Sequence, residues 1–232
     1  MTERFIHHLR VEQPAADETA AQARERLRDH FPRTALRRMT HLGLLLGAAF
    51  EGSAWGADDA LVYATSFAET RALEDFLTSF PAASPLLFQT SIHPGGVQQV
   101  FIGRQQPVAR LWPLAGRARL VEQALLTAML EDAPRVWVAG GEERGTWLLE
   151  QGMASERAFA FAIGLTRDAE GAFGRIRLEP TDAAPAVAEG GRNARPAADP
   201  AGPTLSAWAD ALARQRPLAW RGFGGDWSLQ WP

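Results

Sequence analysis

The sequence contains no cysteine. No thioester can form on this polypeptide, so cysteine-based acyl transfer is excluded, as are disulfides and thiolate metal sites. A chain with no thiols and no disulfide framework is expected in the cytoplasm. Long hydrophobic runs are also missing. The longest, Leu42 to Phe50, is too short to span a bilayer. The opening MTERFIHHLRVEQP lacks the apolar core of a signal peptide. Neither charge sign dominates: the net charge of −3 gives no reason to expect nucleic acid. Arginines do gather at 24, 26, 28, 33, 37 and 38, but Glu25 and Asp29 interrupt them. That spacing suits a solvated helix face; the alternative is a patch for an anion or an acyl carrier. Tyrosine is nearly absent, at 1 residue against 8 tryptophans.

What is present suffices for one sizeable core, with 232 residues of which 46% are hydrophobic. Residues 1–30 lack apolar periodicity at first and are expected to form a short edge element or loose arm. From Pro32, the residues Leu36, Met39, Leu42, Leu46 and Phe50 recur at helical spacing up to Gly52. Residues 59–67 read as a buried strand and 69–80 as a helix closed by Pro81. An irregular segment, 84–96, precedes a helix over 97–102 and a strand over 108–112. A helix over 117–130 and a buried strand over 135–139 follow. The alternation predicts a layered α/β fold with a mixed sheet and flanking helices. Segments 159–166 and 174–179, joined by the turn-like DAEGA, are expected to form a hairpin. Residues 181–203, rich in Ala, Pro and Gly, read as a flexible linker or loop. A helix over 205–214 and a strand over 226–231 are expected to pack back on the domain at 31–180, as a C-terminal unit spanning 204–232.

Several local patterns are shared with one family. They are the Arg37-Arg38-Met39 entry to a helix, a strand ending at Ser66 with Glu69 just after it, and the segment S-P-x-x-F-x-x-S-I-H from Ser84 to His93. An Ala115-Gly116 turn before a helix, a strand closing on Gly140-Gly141-Glu142, and a tryptophan-bearing last strand complete the set. In these the chain resembles the β-ketoacyl synthase-like N-terminal domain family, stand-alone proteins similar to the first half of a thiolase-fold condensing enzyme. The resemblance runs over residues 30–231, and Ser84 to His93 is its most specific part. It departs after the histidine, where Pro94-Gly95-Gly96 stands in place of an asparagine and small residues. It implies a thiolase-like fold, with a nucleophile turn matched by Trp112-Pro113-Leu114-Ala115-Gly116, which places Pro113 where the cysteine nucleophile would be. It also implies an accessory, chain-length-factor-like role in polyene or fatty-acid-type biosynthesis, as for relatives found with aryl polyene or xanthomonadin-type pigment genes. The partners it implies are a ketoacyl synthase and an acyl carrier protein, with no cofactor. No second repeat with its paired histidines is expected, since too few residues follow Gly141.

His93 is the one histidine in the resembling loop, and such a side chain can give or take a proton near neutral pH. His93 and Ser91 are therefore the catalytic candidates of an alternative reading, an enzyme acting on acyl thioesters without a covalent cysteine intermediate. Gln89, Ser91, His93 and Gly116 are the candidates for holding an acyl or pantetheine group, and an acyl- or lipid-binding module is a further alternative. The bland reading of His93 is a side chain satisfying backbone groups in a buried loop. His7 and His8 are adjacent without a third ligand at convincing spacing, so no metal site is expected. His30 has no partner in sequence, and His41 reads as a packed helix residue. No G-x-S-x-G elbow and no phosphate-binding Lys-Ser/Thr loop occur.

Overall fold

The structure, a computed structural model, describes residues 2–181 and 202–232. The strands are β1 (Thr2–Glu12), β2 (Ala60–Thr65), β3 (Arg110–Ala115), β4 (Val136–Glu142), β5 (Phe159–Thr166), β6 (Arg175–Pro180), β7 (Leu218–Gly222) and β8 (Gly225–Gln230). The helices are α1 (Ala20–Arg26), α2 (Arg33–Leu36), α3 (His41–Ala49), α4 (Thr70–Thr78), α5 (Pro85–Thr90), α6 (Gly95–Arg104), α7 (Leu120–Leu130), α8 (Trp147–Glu150) and α9 (Leu205–Ala213). All eight strands form one sheet in the order β3-β2-β4-β5-β1-β6-β8-β7. β2 runs parallel to β3 and β4, and the other pairings are antiparallel. The expected mixed sheet with flanking helices is therefore present.

Two cores lie on the two faces of this sheet. Val62, Ala64, Val138 and Phe161 point to one face, where α7 and α9 pack with Leu125, Trp208 and Leu212. Leu61, Tyr63, Trp137 and Ala162 point to the other, under α3 and α6. The period-2 alternation of β2 divides its buried residues between the two layers. This is why the strand reads as a continuous apolar run. Every residue of α3 is buried, and Gly47 admits the Phe31 ring so closely that a Cβ there would lie 2.2 Å from it.

Four expectations require correction. The segment expected as an edge element or loose arm is β1, a central strand between β5 and β6. Its charged residues are accommodated by bonding at both ends: Arg4 is 1% exposed and donates to the Glu131 carbonyl oxygen. The hairpin expected from 159–166 and 174–179 does not form, because β1 lies between those strands. The crossing backbone ties to Ile6, whose N–H donates to Gly174 O at 2.8 Å and whose carbonyl accepts from Phe173 N. The helix expected to run from Pro32 to Gly52 breaks after Leu36. Thr40 adopts an extended conformation and its hydroxyl caps Gly43 N at 3.0 Å, while Arg24 reaches the freed carbonyls of Leu36 and Met39. The segment expected as irregular contains α5, for which Ser84 is the N-cap and Pro85 the first residue. The linker expected at 181–203 falls almost wholly outside the described residues. Among the described residues no helix is long and apolar enough to cross a membrane.

Candidate functional site

β2 and β4 are parallel neighbours in the register Ala64↔Gly140, so their carboxyl ends lie side by side. Crevices at the carboxyl ends of parallel strands are the usual place for ligands in such sheets. Here the chain places three buried carboxylates. Glu142, 2% exposed, accepts from Ser66 N at 2.5 Å and Thr65 Oγ1 at 3.2 Å. Glu143, equally buried, accepts from Leu42 N at 2.9 Å, Arg71 N at 2.9 Å and Ala72 N at 3.3 Å. It thus satisfies first-turn amides of both α3 and α4, groups that a helix cannot bond internally. Glu69 does the same for α6, accepting from Gly96 N at 2.9 Å. Burial drives Glu142 and Glu143 up to about 7, against the hydrogen bonds that favour their ionised forms. Tyr63 is pushed well above its ordinary value by burial, then by Glu69, Glu143 and Glu142.

His93 belongs to this cluster. Its ring stacks on Tyr63 with centroids 5.1 Å apart, and Nδ1 lies 3.3 Å from Glu69 Oε2. Its Nε2 is buried with no partner among the described residues. The other residues proposed beside it are directed elsewhere. Ser91 Oγ donates to Phe88 O at 2.8 Å, closing α5. Gln89 is exposed on an open groove. Gly116 ends β3 at φ 150, where its N–H donates to Thr65 O at 3.2 Å. His7 and His8 diverge, to Asp168 O and Ala49 O respectively.

Pro113 is not in a turn. β3 stays in register with β2 as far as Thr65↔Ala115, which places Pro113 inside the strand opposite Tyr63. A proline, lacking an N–H, is tolerated there because β3 is the edge strand. The strand-to-helix turn comes later, over residues 116–119, with Gly116 at φ 150 and Arg119 at φ 55 before α7 begins. The helix expected from Arg117 therefore starts at Leu120. This turn reads Gly-Arg-Ala-Arg and supplies no side-chain nucleophile. Arg117 lies over the Phe67 ring and donates to Gly152 O.

The open edge of the sheet is apolar. Trp112 on β3 is 47% exposed, and Ile102 of α6 and Leu130 of α7 are more exposed still. The Trp112 indole is fixed in place: Nε1 donates to Glu131 Oε2 at 2.8 Å, while Arg110 holds Oε1 at 2.6 Å. Directly beside this edge, between α6 and β3, lies an apolar pocket of 560 Å³ lined by Leu61, Val97, Phe101, Ile102, Val108 and Leu111. Neither the carboxylate cluster nor the Trp112 edge was identified from the sequence. The signal for the first was acids close to the ends of two apolar strands, Glu69 four residues beyond β2 and Glu142-Glu143 at the end of β4.

No protein-family model matches the sequence, and no curated protein matches it. Solved structures do match. A chain of the complex of ketosynthase ApeO with its chain length factor ApeC, from Xenorhabdus doucetiae, aligns over 99% of both chains with a TM-score of 0.64 and 16% identity. A β-ketoacyl synthase from Burkholderia phymatum STM815 aligns over 77% of this chain and 64% of its own, with a TM-score of 0.53 and 14% identity. A type II polyketide assembly, an acyl carrier protein in complex with its ketosynthase, aligns over 72% and 64%, with a TM-score of 0.50 and 9% identity. The chain has the layered, thiolase-like fold of the ketosynthases.

Proposed function

We propose that the protein is a non-catalytic, chain-length-factor-like partner of a ketosynthase in polyene or fatty-acid-type biosynthesis, acting in the cytoplasm on chains borne by an acyl carrier protein. One observation carries the reading: a ketosynthase fold whose strand-to-helix turn, Gly116 to Arg119, holds no nucleophile, in a sequence with no cysteine. The open β3 edge supports it, since unpaired strand edges are templates for pairing with another chain. Trp112, a rigid aromatic at the centre of that edge, has the character of an interface anchor. The 560 Å³ pocket beside β3 lies within the range of small-molecule sites, and its apolar lining suits the end of an acyl chain. Co-expression with the ketosynthase encoded nearest to it should give a complex that condenses carrier-bound acyl groups, while each protein alone does not. A ketosynthase equally active alone, with no association at micromolar concentration, refutes the reading.

The His93 geometry favours a second reading, an acyl-thioester-acting enzyme. Nδ1 faces the buried Glu69 and leaves Nε2 unpartnered, the arrangement of an oriented general base. Turnover of acyl-carrier thioesters by the purified protein, abolished by His93→Ala, would support this reading. Activity retained in that variant refutes it.

A further inference from the structure

Residues 76–103 include no Asp, Glu, Lys or Arg, a run of 28 positions without one in a chain that is 22% charged. Burial does not explain it. Phe80 is 57% exposed, Leu86 56%, Phe88 50% and Ile92 48%, and Pro81, Ala82 and Ala83 are exposed as well. Two of these side chains form a ridge: Phe80, just past α4, and Phe88, on α5, both pack on the Phe76 ring, with centroids 5.4 and 5.3 Å from it. At about half of the 150–250 Å² that such a ring can bury, each leaves roughly 100 Å² in water. With Leu77, Leu86 and Ile92 the apolar surface comes to roughly 400 Å², as much as the largest patch on a typical monomer.

α5 also forms one wall of a groove of 1460 Å³, with α6 and α2 as the others. Leu86, two residues before Phe88, lines it, together with Gln89 and Thr90 of α5 and Gln98 and Gln99 of α6. The charged residues of its lining all lie outside 76–103. The ridge and the near side of the groove thus present one uncharged face. A stable interface takes about 800 Å² from each partner, so the ridge amounts to half of one and the groove wall extends it.

Charge and shape decide what covers this face. Loss of charge with enrichment in aromatics is the composition of an interface core. A charged partner would surrender the hydration of its own groups here and gain no opposite charge, so the fitting surface is one equally poor in charge. The face itself meets that condition. In a two-fold contact both copies offer the same patch, which must hold a protrusion and a hollow to receive it, and must set no charge against its own copy. α5 supplies both parts, Phe88 on the ridge and Leu86 in the groove. We infer that two copies of this chain associate through this face, the Phe80–Phe88 ridge of each seated in the groove between α5 and α6 of the other. The β3 edge takes no part, so the inference stands apart from the proposed ketosynthase partnership.

Sedimentation equilibrium of the whole protein, between about 1 and 100 µM, tests it. A monomer–dimer equilibrium should appear within that span. Phe80→Asp on the ridge and, separately, Leu86→Asp in the groove should each weaken it at least about thirtyfold. Both side chains are exposed, so both variants are expected to fold, and circular dichroism and melting temperature would show this. Trp112→Ala, at the β3 edge, should leave the dimer unchanged. A monomer throughout the span overturns the inference, as does a dimer that survives both substitutions or one that is lost with Trp112→Ala. A monomer that floats with phosphatidylcholine vesicles, and no longer does so with Phe80→Asp, assigns the ridge to a lipid surface and overturns it. So does a monomer whose binding to the ketosynthase is lost with Phe80→Asp.

Discussion

Raising the pH through neutrality should destabilise this protein, and Glu143 should account for a definite share of the loss. Burial holds the Glu143 carboxyl at about 7 in the folded chain, against 4.5 without the fold. A folded-state pKa above the unfolded one means that the native state binds the extra proton between those values. The contribution of Glu143 to stability is therefore greatest below about 4.5 and falls as pH rises towards 7, levelling off above it. The difference of about 2.5 units corresponds to about 3 kcal/mol, a large fraction of the stability of a typical domain. Glu142, held at about 7 by burial in the same crevice, adds a loss of similar size and sign. Glu143→Gln isolates the first contribution, because the amide keeps an acceptor for part of the Leu42, Arg71 and Ala72 triad but cannot titrate. Urea unfolding followed by tryptophan fluorescence between pH 5 and pH 8.5 would give both stability curves. The unaltered protein should lose about 3 kcal/mol more than the variant over that span. A difference between the two proteins that does not change with pH would refute the reasoning. So would a difference that changes with the opposite sign, which would mean that the three amides outweigh burial.

Other perturbations separate packing from function. Trp112→Ala should leave the fold unchanged and weaken association with the ketosynthase by about 2 kcal/mol, or roughly thirtyfold, in sedimentation experiments. Val97→Phe should fill part of the 560 Å³ pocket, and the assembled pair should then release shorter acyl products by mass spectrometry. Gly141→Ala would place a Cβ 2.4 Å from the Phe159 carbonyl oxygen inside the sheet, so the melting temperature should fall by an amount equivalent to about 1–3 kcal/mol or more.

The fold was legible where local pattern and tertiary role agree. β2 and β4 announce themselves as apolar runs because both of their faces are covered. Helix α4 was visible from the spacing of Leu73, Phe76 and Leu77 before Pro81. β1 was hidden because Arg4, His8 and Arg10 interrupt its apolar pattern. Their central position is made tolerable by partners 41 to 127 residues away, Ala49 O and Glu131 O among them, which no local window contains. α5 was missed although Ser84-Pro85 is a helix-start signal, because its outer face carries exposed Leu86 and Phe88 instead of a buried stripe. The turn that the resemblance put at Pro113 was expected because the strand before it reads as ending at Trp112; only pairing with β2, and the edge position that tolerates a proline, carry the strand on to Ala115. Of the candidate site, His93 was legible as a residue type. Its carboxylate partner Glu69 and the stack on Tyr63 depend on pairing between segments 24 or more residues apart.

The central position of β1 has a consequence for the order in which the molecule assembles. Residues 2–12 are synthesised well before the segments they pair with, residues 159–166 and 175–180. β2, β3 and β4 can associate before then, since the chain between them is complete, but Ile6 has no sheet to join until β5 is made. The two halves of the sheet are thus sewn together by a segment made long before its partners. Contacts so distant in sequence fold slowly. During that interval the open edges of β5 and β6 are sites where another chain could substitute for β1, which makes this seam the point at which misassembly would begin.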